Sequence, residues 1–285
     1  MCGIYGIVNL KPDDFISSDV LQGMSRLLRH RGPDDTGIFI DKNVGLGNNR
    51  LNIIDIEGGH QPIFNETRSL CTVYNGEIYN YKSLREELRK QGHVFATNTD
   101  SEIVVHAYEE WGDECVKKFR GMFAFALWDS VNQKLFMARD RMGIKPFYYL
   151  KTDQYFAFAS EAKAFKALKN RGFAFQLNEI AAGLFLKYSR GPDNENCMFT
   201  GIKKLTPGHT FVLQNNELSF SKFWSLEVNK DASNLSRQAV VELVDEKLRD
   251  SVESELVSDV SVGVLLSGGV DSSSVAALYQ NVSVE

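Results

Sequence analysis

The second residue of the chain combines a nucleophile with a nearby base. The sequence begins Met1-Cys2-Gly3-Ile4, so removal of the initiator methionine would place the Cys2 thiol beside a free α-amine. An α-amine titrates near pH 8, which is low enough for it to be partly neutral in the cell and to accept the thiol proton. A cysteine at this position could also be a coincidence, since the chain has 4 cysteines. Cys2 is therefore a candidate nucleophile that needs support from other motifs.

A glycine-rich loop late in the chain is the second chemical signal. The sequence Ser267-Gly268-Gly269-Val270-Asp271-Ser272-Ser273 follows an apolar run and precedes a helical segment. Consecutive glycines let the backbone direct its amide groups at one anion at the start of a helix. No lysine follows the glycines, so a pyrophosphate-binding loop is a better interpretation than a Walker loop. A plain glycine-rich turn before a helix is the alternative.

Composition excludes several classes of function. The 285 residues are 43% hydrophobic and 24% charged, and 32 basic residues stand against 37 acidic ones. Neither sign forms a long run, so no patch for nucleic acid or an anionic membrane is predicted. No apolar stretch approaches the ~20 residues of a membrane helix, and the first residues lack a secretory signal, so the chain is expected to start at its mature start.

The cysteines are far apart in the sequence. Cys2, Cys71, Cys115 and Cys197 show no C-x-x-C spacing, so they indicate neither a zinc site nor a disulfide framework. Free cysteines are typical of the reducing cytoplasm, where we expect this protein to act. The balanced charge favours small polar substrates.

Alternating apolar residues up to about Trp224 predict an antiparallel, multi-strand core. The predicted strands are Val44–Leu46, Ser69–Tyr74, Met122–Trp128, Lys134–Ala138, Phe147–Lys151, Tyr155–Ala159 and Thr210–Gln214. Turn signals at Asn75-Gly76, Thr152-Asp153 and Asn215-Asn216 predict hairpin connections. The predicted helices are Lys82–Gln91, Ser101–Trp111, Glu161–Leu168 and Asn178–Tyr188. Helices outside two stacked sheets would bury both sheets, as a layered αββα arrangement.

A second unit is predicted after a polar segment at Glu227–Leu235. It opens with an amphipathic helix over Ser236–Ser258, capped by Ser236. A buried strand at Val262–Leu266 is predicted to lead into the glycine-rich loop. One strand and two helices cannot bury a parallel sheet, so this unit is expected to be cut short.

Several motifs in the same order and spacing resemble those of the glutamine-dependent asparagine synthetases. They are Cys2-Gly3-Ile4, Arg29-His30-Arg31-Gly32-Pro33-Asp34-Asp35, Asn75-Gly76-Glu77-Ile78-Tyr79-Asn80, Gly121–Ala126, Arg139–Pro146, Phe158–Glu161 and the Ser267–Ser273 loop. The resemblance covers essentially the whole chain.

The resemblance implies an α+β fold in two parts. Residues 2–224 would form a class II glutamine amidotransferase domain with the N-terminal-nucleophile αββα sandwich. Residues 225–235 would be a linker. Residues 236–285 would be the incomplete beginning of an α/β pyrophosphate-loop ATPase domain, the synthetase domain of this family.

The resemblance also assigns roles in glutamine hydrolysis. Cys2 would attack the side-chain amide of glutamine, and the Asn75 side chain with the Gly76 amide would stabilise the oxyanion. Arg50 would bind the α-carboxylate of glutamine, with Glu77 and Asp100 near its α-amine. Each has a plainer interpretation: Asn75-Gly76 as a hairpin turn, Arg50 as a surface arginine, and Asp100 as an acid of a helix capped by the Thr99-x-x-Glu102 box.

For the second unit, the resemblance implies an aspartyl-adenylate made from aspartate and ATP, which ammonia then attacks. The residues that would hold pyrophosphate are Leu266, Ser267, Gly268, Gly269, Asp271, Ser272 and Ser273. Mg²⁺ is implied with ATP, and Asp271 would help to place it. No separate metal site is assigned. His30, Lys145 and the triplet Arg139–Arg141 are interpreted as structural, the last two as ion-paired hairpin residues.

Three functions stay open at this point. The leading one is glutamine-hydrolysing asparagine synthesis. A related enzyme could aminate another carboxylate, such as a sugar acid in surface-polysaccharide synthesis. A truncated, non-catalytic relative that regulates a full-length enzyme is the third. The resemblance also leaves a homodimer open.

Overall fold

The computed structural model describes residues 1–189, 191, 195–228 and 235–283. The chain separates into two compact units, Met1–Ser225 and Leu226–Glu285. The predicted linker 225–235 falls partly on 229–234, which lie outside the described residues, so the predicted domain limits stay a prediction.

Two six-stranded antiparallel sheets form the centre of the first unit. The first sheet contains β1 (Gly3–Asn9), β2 (Asp35–Asp41), β3 (Val44–Arg50), β8 (Tyr148–Lys151), β9 (Tyr155–Ala159) and β10 (Ile202–Lys204), in the order β10-β8-β9-β1-β3-β2. The second contains β4 (Ile63–Phe64), β5 (Leu70–Ile78), β6 (Gly121–Asp129), β7 (Lys134–Arg139), β11 (His209–Gln214) and β12 (Glu217–Lys222), in the order β12-β11-β7-β6-β5-β4.

The strand β1 is buried on both faces because it lies inside its sheet and its sheet lies inside the unit. Side chains alternate along a strand, so Ile4 and Val8 pack into the core between the two sheets. Tyr5 and Ile7 point the other way, into a core beneath the outer helices. All of β1 is consequently buried, which explains its nearly continuous apolar sequence.

Helices cover the outer face of each sheet. On the first sheet, α1 (Ser18–Leu28) packs with the 3-10 helix Ala162–Arg171 over the core that holds Tyr5. On the second, α2 (Tyr81–Lys90) and α3 (Ile103–Trp111) pack together, and α3 contacts β5. The predicted αββα layering is therefore confirmed. A further helix, α4 (Glu179–Tyr188), begins after its cap Asn178, as predicted.

All of the strands predicted up to Trp224 overlap observed ones, but one predicted turn is wrong. Thr152-Asp153 joins β8 to β9, and Asn215-Asn216 joins β11 to β12 with positive φ at both residues. Asn75-Gly76 instead lies inside the nine-residue strand β5, paired with Ala124 and Phe123 of β6. Strand pairing over the whole of β6 keeps the backbone extended where the local sequence favours a turn.

The predicted capping box at the start of α3 is also wrong. The helix begins at Ile103, not at Ser101, and Glu102 precedes it. The Glu102 carboxylate accepts hydrogen bonds from the amides of Ala96 and Thr97, at 2.7 and 2.8 Å. The Thr99 hydroxyl bonds instead to the hydroxyls of Thr97 and Ser101. Asp100 therefore lies in an irregular loop and not in the first turn of a helix.

The second unit contains two helices, α5 (Arg237–Glu255) and α6 (Val270–Ser283). The cap of α5 is confirmed, because the Ser236 hydroxyl accepts from the amide of Ala239 at 3.2 Å. The predicted buried strand at Val262–Leu266 is wrong: the segment is irregular, and Leu265 is 94% exposed. A strand needs a neighbour to pair with, and residues 235–283 offer none. In the described part of the chain, every helix is too short or too polar to cross a membrane.

We predict that Phe158→Ala lowers the free energy of unfolding of the first unit by about 3–5 kcal/mol, because it leaves a cavity between the sheets. Phe158 is fully buried and stacks on Phe147, with ring centroids 5.3 Å apart. Phe15, which is 65% exposed, provides the control, since Phe15→Ala should change stability by less than about 1 kcal/mol. Urea unfolding followed by tryptophan fluorescence measures both. Equal effects of the two substitutions would contradict this account of the core.

Candidate active site

The residues proposed for glutamine hydrolysis line one cavity of about 70 Å³ in the first unit. They are Cys2, Arg50, Asn75, Gly76, Glu77 and Asp100. Arg50 comes from β3, and Asn75, Gly76 and Glu77 come from β5, while Cys2 directly precedes β1 and Asp100 lies in the loop before α3. Residues that are distant in sequence are thus brought into a single site.

Strand pairing positions Cys2. The register between β1 and β3 pairs Gly3 with Asn49, so Cys2 and Arg50 are the next residues at the ends of paired strands. The Arg31 side chain donates from Nε to the Cys2 carbonyl at 2.9 Å. The thiol itself lies 3.8 Å from the carbonyl oxygen of Leu51. Arg31, within the Arg29–Asp35 motif, thus helps to position Cys2.

Burial controls the ionisation of the thiol. Desolvation raises the pKa of Cys2 above its ordinary value, while the α-amine and Arg50 act in the opposite direction. Desolvation also lowers the pKa of the α-amine, which in this chain belongs to Met1. The neutral thiol and the neutral amine are therefore both favoured. A neutral amine is the form that can accept a proton.

The Asn75 side chain offers an unused hydrogen-bond donor to the cavity. Asn75 is 1% exposed, and its Nδ2 has no hydrogen-bond partner among the described residues. A buried donor without a partner costs about 1–3 kcal/mol, so such groups are rare unless a ligand satisfies them. An oxygen atom of a bound ligand beside Cys2 would satisfy this one.

The Gly76 amide points to the edge of β5 that faces away from β6. The amides of Tyr74 and Ile78 point to the same edge, and each has a hydrogen-bond partner there. The Tyr74 amide donates to Gln61 Oε1 at 2.7 Å, and the Ile78 amide donates to Asp100 Oδ2 at 2.9 Å. Amide directions alternate along a strand, so Gly76, midway between them, directs its N–H to that edge. A Cβ at position 76 would lie 2.3 Å from the Met122 carbonyl oxygen. Only glycine therefore fits this close approach of β6.

Arg50 is a buried cation held by the main chain and is not a surface arginine. It is 4% exposed. Its Nη2 donates to the carbonyls of Ile54 and Asp55 at 2.8 and 2.7 Å, and its Nη1 lies 3.4 Å from the carbonyl of Ile56. These bonds fix the guanidinium at the cavity wall without using a carboxylate. Its positive charge is available to a ligand carboxylate.

Asp100 is a buried acid that also lines the cavity. Its Oδ2 accepts from the Tyr74 hydroxyl at 2.8 Å as well as from the Ile78 amide. Burial raises the pKa of Asp100, and the two hydrogen bonds oppose that effect. Burial beside Asp100 also raises the pKa of Tyr74, so its hydroxyl stays a donor. A cationic group of a ligand would stabilise the ionised carboxylate.

Lys145 is a site residue that the sequence interpretation missed. It is 6% exposed and lines the cavity, and burial lowers its pKa, while Glu77 and Cys2 act to raise it. The predicted ion pairing of Arg139 and Asp140 is wrong. Arg139 donates to the carbonyls of Lys145, Gly143 and Leu205, and Asp140 accepts from the amides of Lys145, Met142 and Ile144. Together they shape the loop that carries Lys145 into the site, a contact that no local motif reveals.

The glycine-rich loop of the second unit leads into α6. Gly268 has a φ of 82°, in the left-handed region, and α6 starts at Val270. The hydroxyls of Ser267 and Ser272 are 2.9 Å apart, and Ser272 Oγ donates to the Gly269 carbonyl at 3.1 Å. Exposed amides at a helix start and several hydroxyls fit the requirements of a phosphate group. The donor set is thus compatible with the pyrophosphate-loop interpretation.

Comparisons with known proteins agree with these motifs. A model of the glutamine amidotransferase domain family matches residues 1–224, which is most of the chain. The chain belongs to this family. A model of the asparagine synthase family matches residues 243–284.

Curated relatives of the chain are named as glutamine-hydrolysing asparagine synthetases. The chain is 39% identical to asparagine synthetase [glutamine-hydrolyzing] 3 of Bacillus subtilis over 98% of this chain and 45% of that protein. It is 38% identical to asparagine synthetase [glutamine-hydrolyzing] 2 of the same organism, over 97% of this chain and 38% of the relative. The chain thus spans about half the length of these relatives, or less.

A solved structure supports the fold of the amidotransferase family. The structure of glutamine phosphoribosylpyrophosphate amidotransferase from B. subtilis aligns with 99% of this chain and 64% of its own, with a TM-score of 0.58 and 15% identity. The N-terminal-nucleophile αββα fold predicted for the first unit is confirmed. The likeness at this identity concerns the fold alone.

In the chain that keeps Met1, we predict that Cys2 is alkylated slowly at pH 7. As the pH increases, its alkylation rate should rise with a midpoint pH above that of a cysteine in the unfolded chain. The reason is that burial raises its pKa, so little thiolate is present at neutral pH. Iodoacetamide labelling across pH, read by intact mass, measures the rate, and the chain in urea supplies the reference midpoint. Cys71, Cys115 and Cys197 are at most 5% exposed and should not react in the folded chain. A midpoint at or below the reference would contradict the assignment of a desolvated thiol.

Proposed function

We propose that the first unit hydrolyses glutamine to glutamate and ammonia, with Cys2 as nucleophile. The main support is Asn75 Nδ2, a buried donor that has no hydrogen-bond partner among the described residues and lies in the same cavity as Cys2. Membership of the glutamine amidotransferase family supports the choice of substrate. The activity requires removal of Met1, which lines the cavity and holds the α-amine in place of Cys2. Its removal enlarges the cavity and transfers the amine to the nucleophile.

In the proposed mechanism the α-amine of Cys2 takes the thiol proton as sulfur attacks the side-chain carbonyl carbon of glutamine. The carbonyl oxygen becomes an oxyanion, which accepts hydrogen bonds from Asn75 Nδ2 and the Gly76 amide. The α-ammonium then returns the proton to the leaving nitrogen, which departs as ammonia. A thioester remains on Cys2. Water, deprotonated by the same amine, hydrolyses it to glutamate and regenerates the thiol.

Two opposite charges bind the amino-acid end of glutamine in this proposal. Arg50, held by main-chain carbonyls, binds the α-carboxylate, while Asp100 and Glu77 bind the α-ammonium. Because a zwitterion presents both charges at fixed spacing, the pair selects a free amino acid over a simple amide. The Lys145 ammonium adds positive potential beside Cys2, which favours the developing negative charge.

We further propose that the chain is the glutaminase half, with the start of the ligase half, of an asparagine synthetase that uses aspartate and ATP. The match of residues 243–284 to the asparagine synthase family supports it. The residues Leu266–Gly269 and Asp271–Ser273 would hold the pyrophosphate part of ATP, and Asp271 would help to hold Mg²⁺. ATP supplies the leaving group that activates the aspartate carboxyl. The identity of the carboxylate acceptor, a cytoplasmic location and a homodimer stay predictions.

We expect Cys2→Ala to abolish glutamate release, because it removes the thiol that attacks the side-chain amide of glutamine. The assay measures glutamate formed from glutamine by the full chain, after intact mass has shown that Met1 is absent. Cys197→Ala, which alters a buried cysteine outside the cavity, should keep its activity. The proposal fails if Cys2→Ala keeps wild-type activity, or if the unaltered mature chain releases no glutamate.

We expect Asn75→Ala to lower kcat about 10²–10³-fold and to leave KM nearly unchanged, because the lost donor acts on the transition state. Asn75→Asp keeps the shape of the side chain but places a negative charge at the oxyanion, so its loss should be at least as large. Asn132→Ala, in the turn between β6 and β7, is the control and should retain full kcat. A large rise in KM with unchanged kcat would show that Asn75 only binds glutamine.

A further inference from the structure

A cluster of two histidines and two glutamates lies outside the glutaminase cavity. Ligand atoms of Glu66, His93 and His106 all lie within 4.8 Å of one another. Glu109 joins them, with its Oε2 3.5 Å from His93 Nδ1 and 3.6 Å from His106 Nδ1. Glu66 Oε2 is 3.8 Å from His106 Nδ1. These residues come from the loop before β5, the segment after α2, and α3 itself.

Three of the spacings among these residues fit a tetrahedral metal ion. Ligand bonds of about 2.0–2.2 Å to nitrogen and oxygen separate tetrahedral ligand atoms by about 3.3–3.6 Å. The spacings of 3.5, 3.6 and 3.8 Å are at this value or slightly above it. They are longer than hydrogen bonds, so these pairs do not satisfy one another directly. The ligand atoms of Glu66, His93 and His106 lie within 4.8 Å of one another, so a bound ion would draw them closer together.

His106 is an independent indication of a missing ligand. It is fully buried, yet neither ring nitrogen has a hydrogen-bond partner among the described residues. A protonated imidazole there would be a desolvated cation whose N–H groups are unsatisfied, which is costly. A neutral imidazole would still lack its bonds. A metal ion at Nδ1 would satisfy one of the two nitrogens, and Nε2 faces Glu102 Oε1 at 3.6 Å.

The remaining atoms of the cluster are arranged as supports for ligands. His93 Nε2 is 3.3 Å from Glu110 Oε2, and His106 Nε2 is 3.6 Å from Glu102 Oε1, so each imidazole has a carboxylate on its far side. The second oxygen of each ligating carboxylate is also occupied: Glu66 Oε1 accepts from the Val94 amide at 2.8 Å, and Glu109 Oε1 from Asn65 Nδ2 at 3.1 Å. Carboxylates behind metal-bound histidines orient the ring and make it a better ligand.

We propose that Glu66, His93, His106 and Glu109 bind one zinc ion. Two imidazoles with two carboxylates suit Zn²⁺ better than Mg²⁺ or Ca²⁺, which prefer oxygen ligands alone. Four protein ligands leave no open position, so the site is structural. The ion would connect α3 to the two loop segments that supply Glu66 and His93. Glu102, beside His106, extends this connection by accepting hydrogen bonds from the amides of Ala96 and Thr97. The binding of zinc here is independent of the proposed hydrolysis of glutamine.

The cysteine spacing indicates no zinc site, and the proposed one uses no cysteine. Its ligands are separated by 27, 13 and 3 positions along the chain, from Glu66 to His93, His106 and Glu109. Only the packing of α3 against the loops beside it brings them together.

The test titrates ZnCl₂ into the full chain, treated with chelator and carrying Cys2→Ala so that the reactive thiol cannot bind the ion. We expect one Zn²⁺ per chain by calorimetry and by elemental analysis after gel filtration. At about 100-fold excess over Kd, the Tm of the first unit should rise by about 5–10 °C. MgCl₂ at the same concentration should leave Tm unchanged.

Two variants make the assignment specific. Glu109→Gln keeps the acceptor for Asn65 but loses the ligating charge, so it should weaken zinc binding at least 10-fold, and His93→Gln should do the same. Glu114→Gln removes an equal charge from the surface pair with Lys117 and should leave Kd unchanged. The proposal is overturned if no saturable binding occurs, if Glu109→Gln and Glu114→Gln bind zinc equally, or if Mg²⁺ stabilises the chain as well as Zn²⁺ does.

Discussion

The pairing of β1 between β3 and β9 is the constraint on which the active site depends. Gly3 lies opposite Asn49, and the last residues of β1 continue the same register. The pairing holds Cys2 at the end of a strand that is buried on both faces, next to Arg50. A slip by one residue would reverse every side chain of β1 between the two cores. The apolar packing that fixes the fold therefore also fixes the position of Cys2, the proposed nucleophile.

Charge is arranged around the cavity by bonds to the main chain more than by ion pairs. Arg50 uses carbonyls of the loop after β3, and Asp100 uses the Ile78 amide. The low dielectric of a buried site strengthens the effect of such charges on a ligand. The same burial raises the pKa of Cys2 and disfavours its thiolate.

Close backbone approach gives the site its remaining donors. β6 lies so near to Gly76 that no side chain fits there, and this contact holds β5 extended through Asn75 and Gly76. An extended strand directs alternate amides to one edge, and the edge shared by Tyr74, Gly76 and Ile78 faces away from β6. A hairpin turn, which the Asn-Gly pair favours in isolation, would have separated these groups.

The sequence alone determined the layered fold, most of its strands and the family motifs, because apolar alternation, turn residues and motif spacing are local properties. It also indicated Cys2, Arg50, Asn75, Gly76, Glu77 and Asp100. Only the tertiary structure decided that these line one cavity, that Asn75-Gly76 is strand and not turn, and that Lys145 reaches the site. The cluster around His106 likewise becomes visible only when α3 is packed. The physical reason is common to all: pairing and packing between segments distant in sequence outweigh the preferences of each segment by itself.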